Sequence, residues 1–114
     1  MEARAIKRNI SSSPRKMMLV VDTIRGKKVD EALSTLHFST KHASKICEKT
    51  LRSAISNFHQ KEGGERMSVD KLFVKTVFVN QGVTLRRVLP APMGRAFRIR
   101  KRSNHLTIVI SDKK

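Results

Sequence analysis

Acid is missing from the last third of this chain. Across residues 71–111, 41 consecutive positions hold nine Lys or Arg and no Asp or Glu, and seven of the nine cations fall within residues 86–102. A surface that must only stay soluble mixes its charges, so a single-sign face of this length points to a polyanionic partner such as a polyphosphate backbone. Tryptophan and tyrosine are absent, and five Phe are the only aromatic residues. This argues against modules that stack single-stranded bases on aromatic platforms, such as an RRM or an OB-fold. It also leaves a modest core of Val, Leu, Ile, Ala and Met. A lone cysteine, Cys47, excludes an internal disulfide and a thiolate metal cluster and suits a reducing compartment. No run approaches 18 apolar residues and the N-terminus lacks a secretory apolar stretch, so neither a membrane segment nor a signal is expected.

Catalytic signatures are missing too. His37, His42, His59 and His105 lack metal-ligand spacing, and only one cysteine is present to join them. There is no glycine-rich phosphate loop, no G-x-S-x-G elbow and no paired-carboxylate constellation. The reading is of a protein that is not an enzyme and that takes no cofactor and no metal. A small nuclease, the enzyme alternative, lacks metal-binding carboxylates across residues 71–111.

What is present is charge on a small frame. The 114 residues fit one domain, and a compact body of that length has a radius of gyration near ~13 Å. The formal net charge of +16 exceeds the roughly 2 to 8 units that keep a small domain soluble, and self-repulsion of that size favours a working environment that supplies counter-charge. Eight of the nine acids lie in the first 70 residues, yet Arg4, Lys7, Arg8, Arg15 and Lys16 face only Glu2 at the N-terminal end.

Period then orders the chain. Residues 2–10 alternate weakly, with Ala3, Ala5 and Ile10 against Arg4 and Arg8, as in an edge strand. Ser13-Pro14 reads as a helix start, with serine at the cap and proline at the first helical position. Met17, Val20, Val21 and Ile24 follow at helical spacing, and Gly26 is expected to end the run. Val29, Ala32, Leu33 and Leu36 mark a second, short helix with Asp30 and Glu31 in its first turn. A third and longest helix is expected to start at Ser39 or Thr40. Its stripe is Ala43, Cys47, Leu51, Ala54 and Phe58, widened by Ile46 and Ile55, and Gly63-Gly64 closes it. Cys47 sits on that stripe as a small packed hydrophobe.

After residue 71 the period falls to two. Residues 72–79 read as a strand, Asn80-Gln81-Gly82 as a bulge or bend, and residues 106–110 as an apolar-alternating strand. Between them two basic arms surround Pro90-Ala91-Pro92-Met93-Gly94. With a turn centred in residues 91–93, each arm spans about ten residues, or roughly 30 Å extended. A ribbon so poor in apolar residues does not all fit on a small core, so a basic β-hairpin projecting from an α+β body is expected. Arg98, Arg100 and Arg102 would then share one face at intervals of about 6.6–6.8 Å, comparable to the spacing of phosphates along a strand. Arginine suits this because its planar fork bridges phosphate oxygens or stacks on bases. Arg86 and Arg87 flank the other arm and Arg95 follows the tip, where they would otherwise be simple solubilising charge. Arg15, Lys16, Arg25, Lys27 and Lys28 surround the first helix, as an anion site at its N-terminus or as solvated charge. His105, between basic arm and apolar strand, has two readings, contact with RNA or sealing of the body.

These same residues carry a family resemblance. Ser13-Pro14-Arg15-Lys16 through Asp22-Thr23-Ile24-Arg25-Gly26-Lys27, then Glu31-Ala32-Leu33 and Leu51-Arg52-Ser53-Ala54-Ile55-Ser56-Asn57, resemble protein twenty-two of the large ribosomal subunit, in its bacterial or organellar form. So do Arg86-Arg87, Pro90, Gly94-Arg95-Ala96, Ile99, Lys101-Arg102 and His105, so the resemblance covers roughly residues 3–112. It implies an α+β fold, three helices packed on a three-stranded antiparallel sheet, with a long protruding basic hairpin. It implies one RNA-binding domain, residues 1–114, with the hairpin at about 82–103 and its tip at about 89–95. It further implies a monomer within the ribosome, in the cytoplasm or an organelle, that binds large-subunit rRNA beside neighbouring ribosomal proteins and supports subunit assembly. By position, the rRNA-binding set would be Arg4, Lys7, Arg8, Arg15, Lys16, Arg25, Lys27, Lys28, Arg86, Arg87, Arg95, Arg98, Arg100, Lys101, Arg102 and His105. Leu89, Pro90, Ala91, Pro92, Met93, Gly94 and Arg95 would line the nascent-peptide exit tunnel, near where macrolides bind in this family. Ala91, Pro92 and Met93 depart from the family's more basic tip, Ser103-Asn104-His105 from its threonine-serine-histidine, and Phe58-His59-Gln60 from its alanine-glutamate-histidine. A free architectural protein that coats DNA or RNA is the rival binding hypothesis.

Overall fold

Two periods, 3.6 and 2, build the two layers of the body. The computed structural model describes residues 2–61, 68–90 and 92–112; Gly63-Gly64, expected to end the long helix, and Ala91 at the tip lie outside the described residues. Among the described residues there are five strands, β1 (Glu2–Ile10), β2 (Phe73–Gln81), β3 (Leu85–Pro90), β4 (Ala96–Lys101) and β5 (Asn104–Ser111). The three α-helices are α1 (Pro14–Val21), α2 (Val29–His37) and α3 (His42–Gln60). The body is the α+β fold expected, with an antiparallel sheet in the order β1-β5-β2. β5 is central, and Leu106, Ile108 and Ile110 on its inner face are fully buried. Beneath them lie Met17, Val20 and Val21 of α1 and Cys47, Leu51, Ala54 and Phe58 of α3, each 2% exposed or less. Burial of this apolar surface is the main force that closes the body.

The helix starts differ in instructive ways. Ser13 caps α1 with its Oγ accepting from the Lys16 N–H at 3.4 Å, and Pro14 opens the first turn. α1 ends at Val21, five residues before the expected Gly26. Ile24 remains buried because tight turns follow the helix: Thr23 N–H donates to the Val20 carbonyl and Ile24 N–H to that of Val21. Gly26, at φ +75, then sends the chain along β2, donating to the Val74 carbonyl while Lys27 accepts from the Val74 N–H. α3 starts at His42 rather than at Ser39 or Thr40. The Ser39 hydroxyl accepts from the Lys41 N–H and from Ser44 Oγ, so it organises a turn ahead of the helix instead of capping it.

Cys47 is buried on the α3 stripe, and loss of solvent pushes its thiol from an ordinary 9.0 up to about 12. Because the unfolded thiol ionises first, this group makes stability fall as pH climbs from about 9 towards 12. Native protein near pH 8 should therefore resist iodoacetamide, with alkylation appearing only on unfolding in guanidinium. Prompt alkylation of the folded chain would show that the stripe opens.

Beyond Gln81 the sheet changes. Asn80 and Gln81, expected to form a bulge or bend, are paired strand residues opposite His105 and Asn104. The register irregularity of β2 lies instead between Val74 and Thr76, and the strand breaks at Gly82. β3 and β4 form a separate two-stranded sheet. The radius of gyration is 17.2 Å with extents of 64 × 25 × 17 Å, well beyond the roughly 13 Å of a compact chain of this size.

Candidate nucleic-acid interface

The ribbon sorts its side chains by register. Arg86 pairs with Arg100 and Val88 with Arg98, so Arg86, Arg98 and Arg100 share one face. On the opposite face Leu85 pairs with Lys101, Arg87 with Ile99, and Leu89 with Phe97. The ladder expected from Arg98, Arg100 and Arg102 is thereby corrected in its last member. Arg102 falls after the end of β4, and Arg86 from the other arm takes its place on the face. None of the cations in residues 71–111 has an acid within that segment to answer it.

At the tip end of the ribbon Pro90 stands opposite Ala96. Leu89 and Pro90, grouped with the tip on sequence, are the last paired residues of β3. Met93 and Gly94 both take the left-handed conformation, at φ 65 and φ 72, and Met93 is 95% exposed. Such a conformation costs a non-glycine residue about 1–3 kcal/mol. Pro92, Met93 and Gly94 are exposed and uncharged, with Arg95 exposed beside them.

Where ribbon meets body, two hydrogen bonds define the joint. The Gly82 N–H donates to the Ser103 carbonyl at 2.9 Å, and Ser103 Oγ donates to the Val83 carbonyl at 2.7 Å. A Cβ at Gly82 would stand 2.6 Å from Ser103 Oγ and 3.2 Å from its backbone, so glycine is what lets the strands cross here. Below the joint, Asn104 Nδ2 donates to the Ser12 carbonyl and hydroxyl at 2.8 and 2.9 Å, tying β5 to the loop before α1.

The body's candidate cations occupy several separate places. Arg4 lies on the outer sheet face with Ile6, Thr107, Val109 and Phe78. Lys7 and Arg8 sit where β1 loses register with β5, beside Asn9 at φ 57. Arg15 and Lys16 open α1. Pro14 has no N–H and Ser13 accepts that of Lys16, so two of the first N–H groups of the helix are not offered to an anion. Arg25, which pairs with Asp22 at 3.3 Å, precedes Lys27 and Lys28 on the connector pinned to β2. All fifteen candidate Lys and Arg residues are exposed, in the body and in the ribbon alike. His105 differs from them. It is half-buried, and its Nδ1 accepts the Asn9 N–H at 3.1 Å, a contact that joins β5 to β1.

The periodicity reading found Phe97 and Ile99 alternating with the arginines of the return arm but not the apolar residues of the other arm that join them. Leu85, Leu89 and Phe97 are 49%, 51% and 60% exposed on a single face. Their alternation with Arg86, Val88 and Arg98 was the available signal.

Such a molecule is a basic α+β protein whose exposed charge, on body and ribbon together, is fitted to a polyanion. Residues 5–111 match the family of ribosomal protein L22p/L17e, and the chain belongs to that family. It is 61% identical over 110 residues to the large ribosomal subunit protein uL22 of Pelodictyon phaeoclathratiforme, covering 96% of this chain and 92% of that one. Over the same shares it is 56% identical to the uL22 protein of Chlorobaculum tepidum and 58% identical to that of Chlorobium chlorochromatii. No helix among the described residues is long and apolar enough to cross a membrane.

Proposed function

We propose that this protein is a structural constituent of the large ribosomal subunit that holds rRNA with its exposed cations and presents its ribbon tip to the nascent peptide. It works in the cytoplasm on the ribosome, is not an enzyme, and has ribosomal RNA and neighbouring ribosomal proteins as its partners. The observation that carries the RNA reading is the acid-free ribbon, where Arg86, Arg98 and Arg100 form one face that can follow a phosphate chain. Body cations Arg4, Lys7, Arg8, Arg15, Lys16, Arg25, Lys27 and Lys28 grip further RNA segments, so the protein ties separate strands together and supports assembly. Arg87, Arg95, Lys101 and Arg102 add to the grip along the ribbon. The tip is assigned a different task because Pro92, Met93 and Gly94 carry no charge and stand exposed, suiting a wall along which peptide slides.

Sedimentation of ribosomes in a high-salt gradient tests the reading. The protein should remain stoichiometric on large subunits, and loss to a mixed nucleic-acid pool would refute it in favour of a free architectural protein. Deleting Ala91, Pro92 and Met93 should leave incorporation intact while altering sensitivity to macrolides or to stalling peptides. Failed incorporation would show that the tip holds RNA instead.

A further inference from the structure

The joint between body and ribbon encloses a cleft of about 550 Å³, within the roughly 300–1,000 Å³ of small-molecule sites. Asn9, Ser11 and Ser13 form its body wall, and Leu85, Arg100 and Arg102 belong to its ribbon wall. Val83, 66% exposed, adds to the apolar side. With Lys101 and Ser103, three cationic side chains, four short polar ones and an aliphatic surface therefore meet in one opening. A bare phosphate would use the cations and leave Val83 and Leu85 against water. An RNA duplex presents its phosphates but keeps its base faces stacked inside. An unpaired nucleotide matches all three chemistries: phosphate on arginine, ribose or base edges on the serines and Asn9, and a base face on the aliphatic wall or a guanidinium plane.

We infer that this cleft receives a single extrahelical nucleotide of RNA. The inference rests on the rRNA-binding reading and deepens it by naming the form of RNA that this part of the surface selects. Because the body wall is the end of β1 with the loop that follows it, while Leu85, Arg100 and Lys101 belong to the ribbon sheet that residues 82–84 and 102–103 link to the body, a nucleotide held by both walls fixes the angle at which the ribbon leaves the body. Arg102, displaced from the ribbon ladder by the end of β4, acquires its role here.

The test is fluorescence anisotropy of the full chain with two probes at about 150 mM salt: an RNA duplex of about 20 base pairs, and the same duplex with one unpaired adenosine at its centre. Wild type should bind the bulged duplex about 10-fold more tightly, the scale of one well-recognised base. Ser11→Trp fills the cleft without changing charge, and should abolish that preference while leaving affinity for the perfect duplex unaltered. Val83→Trp, at a second exposed position, should do the same, so a defect peculiar to one variant is not decisive. Arg98→Gln, outside the cleft, should weaken both probes and keep their ratio. Equal binding of the two probes by wild type, or a preference that survives both tryptophan variants, overturns the inference while leaving the rRNA reading in place. Failure to bind either probe overturns the RNA reading and this inference with it.

Discussion

Replacing Arg86, Arg98 and Arg100 together by glutamine will lower affinity for large-subunit rRNA about 100-fold near physiological salt. The estimate takes about 1 kcal/mol for each lost contact. The slope of log affinity against log salt should flatten by about two to three, since each phosphate neutralised releases most of one counterion. The three residues share a face by register, and none has an acidic neighbour in the surrounding segment to weaken its hold on phosphate. The matched control removes three charges from the body through Arg15→Gln, Lys16→Gln and Arg25→Gln. Arg25 is already partnered by Asp22, so its contribution to RNA binding is discounted, and the body variant should lose less. Equal losses would mean that net charge alone governs binding and that the ribbon face has no special part. Thermal unfolding of the ribbon variant should match wild type, because all three side chains are exposed and remote from the core.

That face illustrates how far sequence could be read. Alternation along residues 96–102 placed Arg98 and Arg100 together, because a strand's period of two is local information. Which residues of the other arm join them depends on the register, and a slip of one residue moves an arm's whole set to the opposite face. A turn placed only within residues 91–93 leaves that parity open. Pairing of Pro90 with Ala96 settles it and brings Arg86, not Arg87, onto the ladder. The helices were legible for the converse reason: an apolar stripe such as Ala43, Cys47, Leu51, Ala54 and Phe58 spans several turns and is disturbed by no single position. Their ends were less so. Ile24 continued the stripe of α1 although the helix had already given way to turns, since a tight turn also directs a side chain inward. His105 and Gly82 act through distant partners, Asn9 and Ser103, whose proximity no local pattern carries.

Among single substitutions in the body, Phe58→Ala is expected to have one of the largest effects on stability. Phe58 is 0% exposed and heads the largest fully buried side chains, on the helix that crosses both β1 and β5. Truncating a buried phenylalanine removes its transfer free energy and leaves a cavity, together about 3–5 kcal/mol. A small domain has only about 5–15 kcal/mol in total, and +16 charges repelling one another leave this chain little reserve. At about 4–8 °C per kcal/mol, the midpoint of thermal unfolding should fall by about 12–40 °C, followed by circular dichroism of the free protein. Phe97→Ala is the informative contrast. The same chemical change on the ribbon, at a side chain 60% exposed, should move the midpoint by little more than measurement error. If it lowers the midpoint as Phe58→Ala does, ribbon and body form one cooperative unit in the free protein. A large shift for Phe58 alone makes the body an independent folding unit whose stability is separate from the charge that holds RNA.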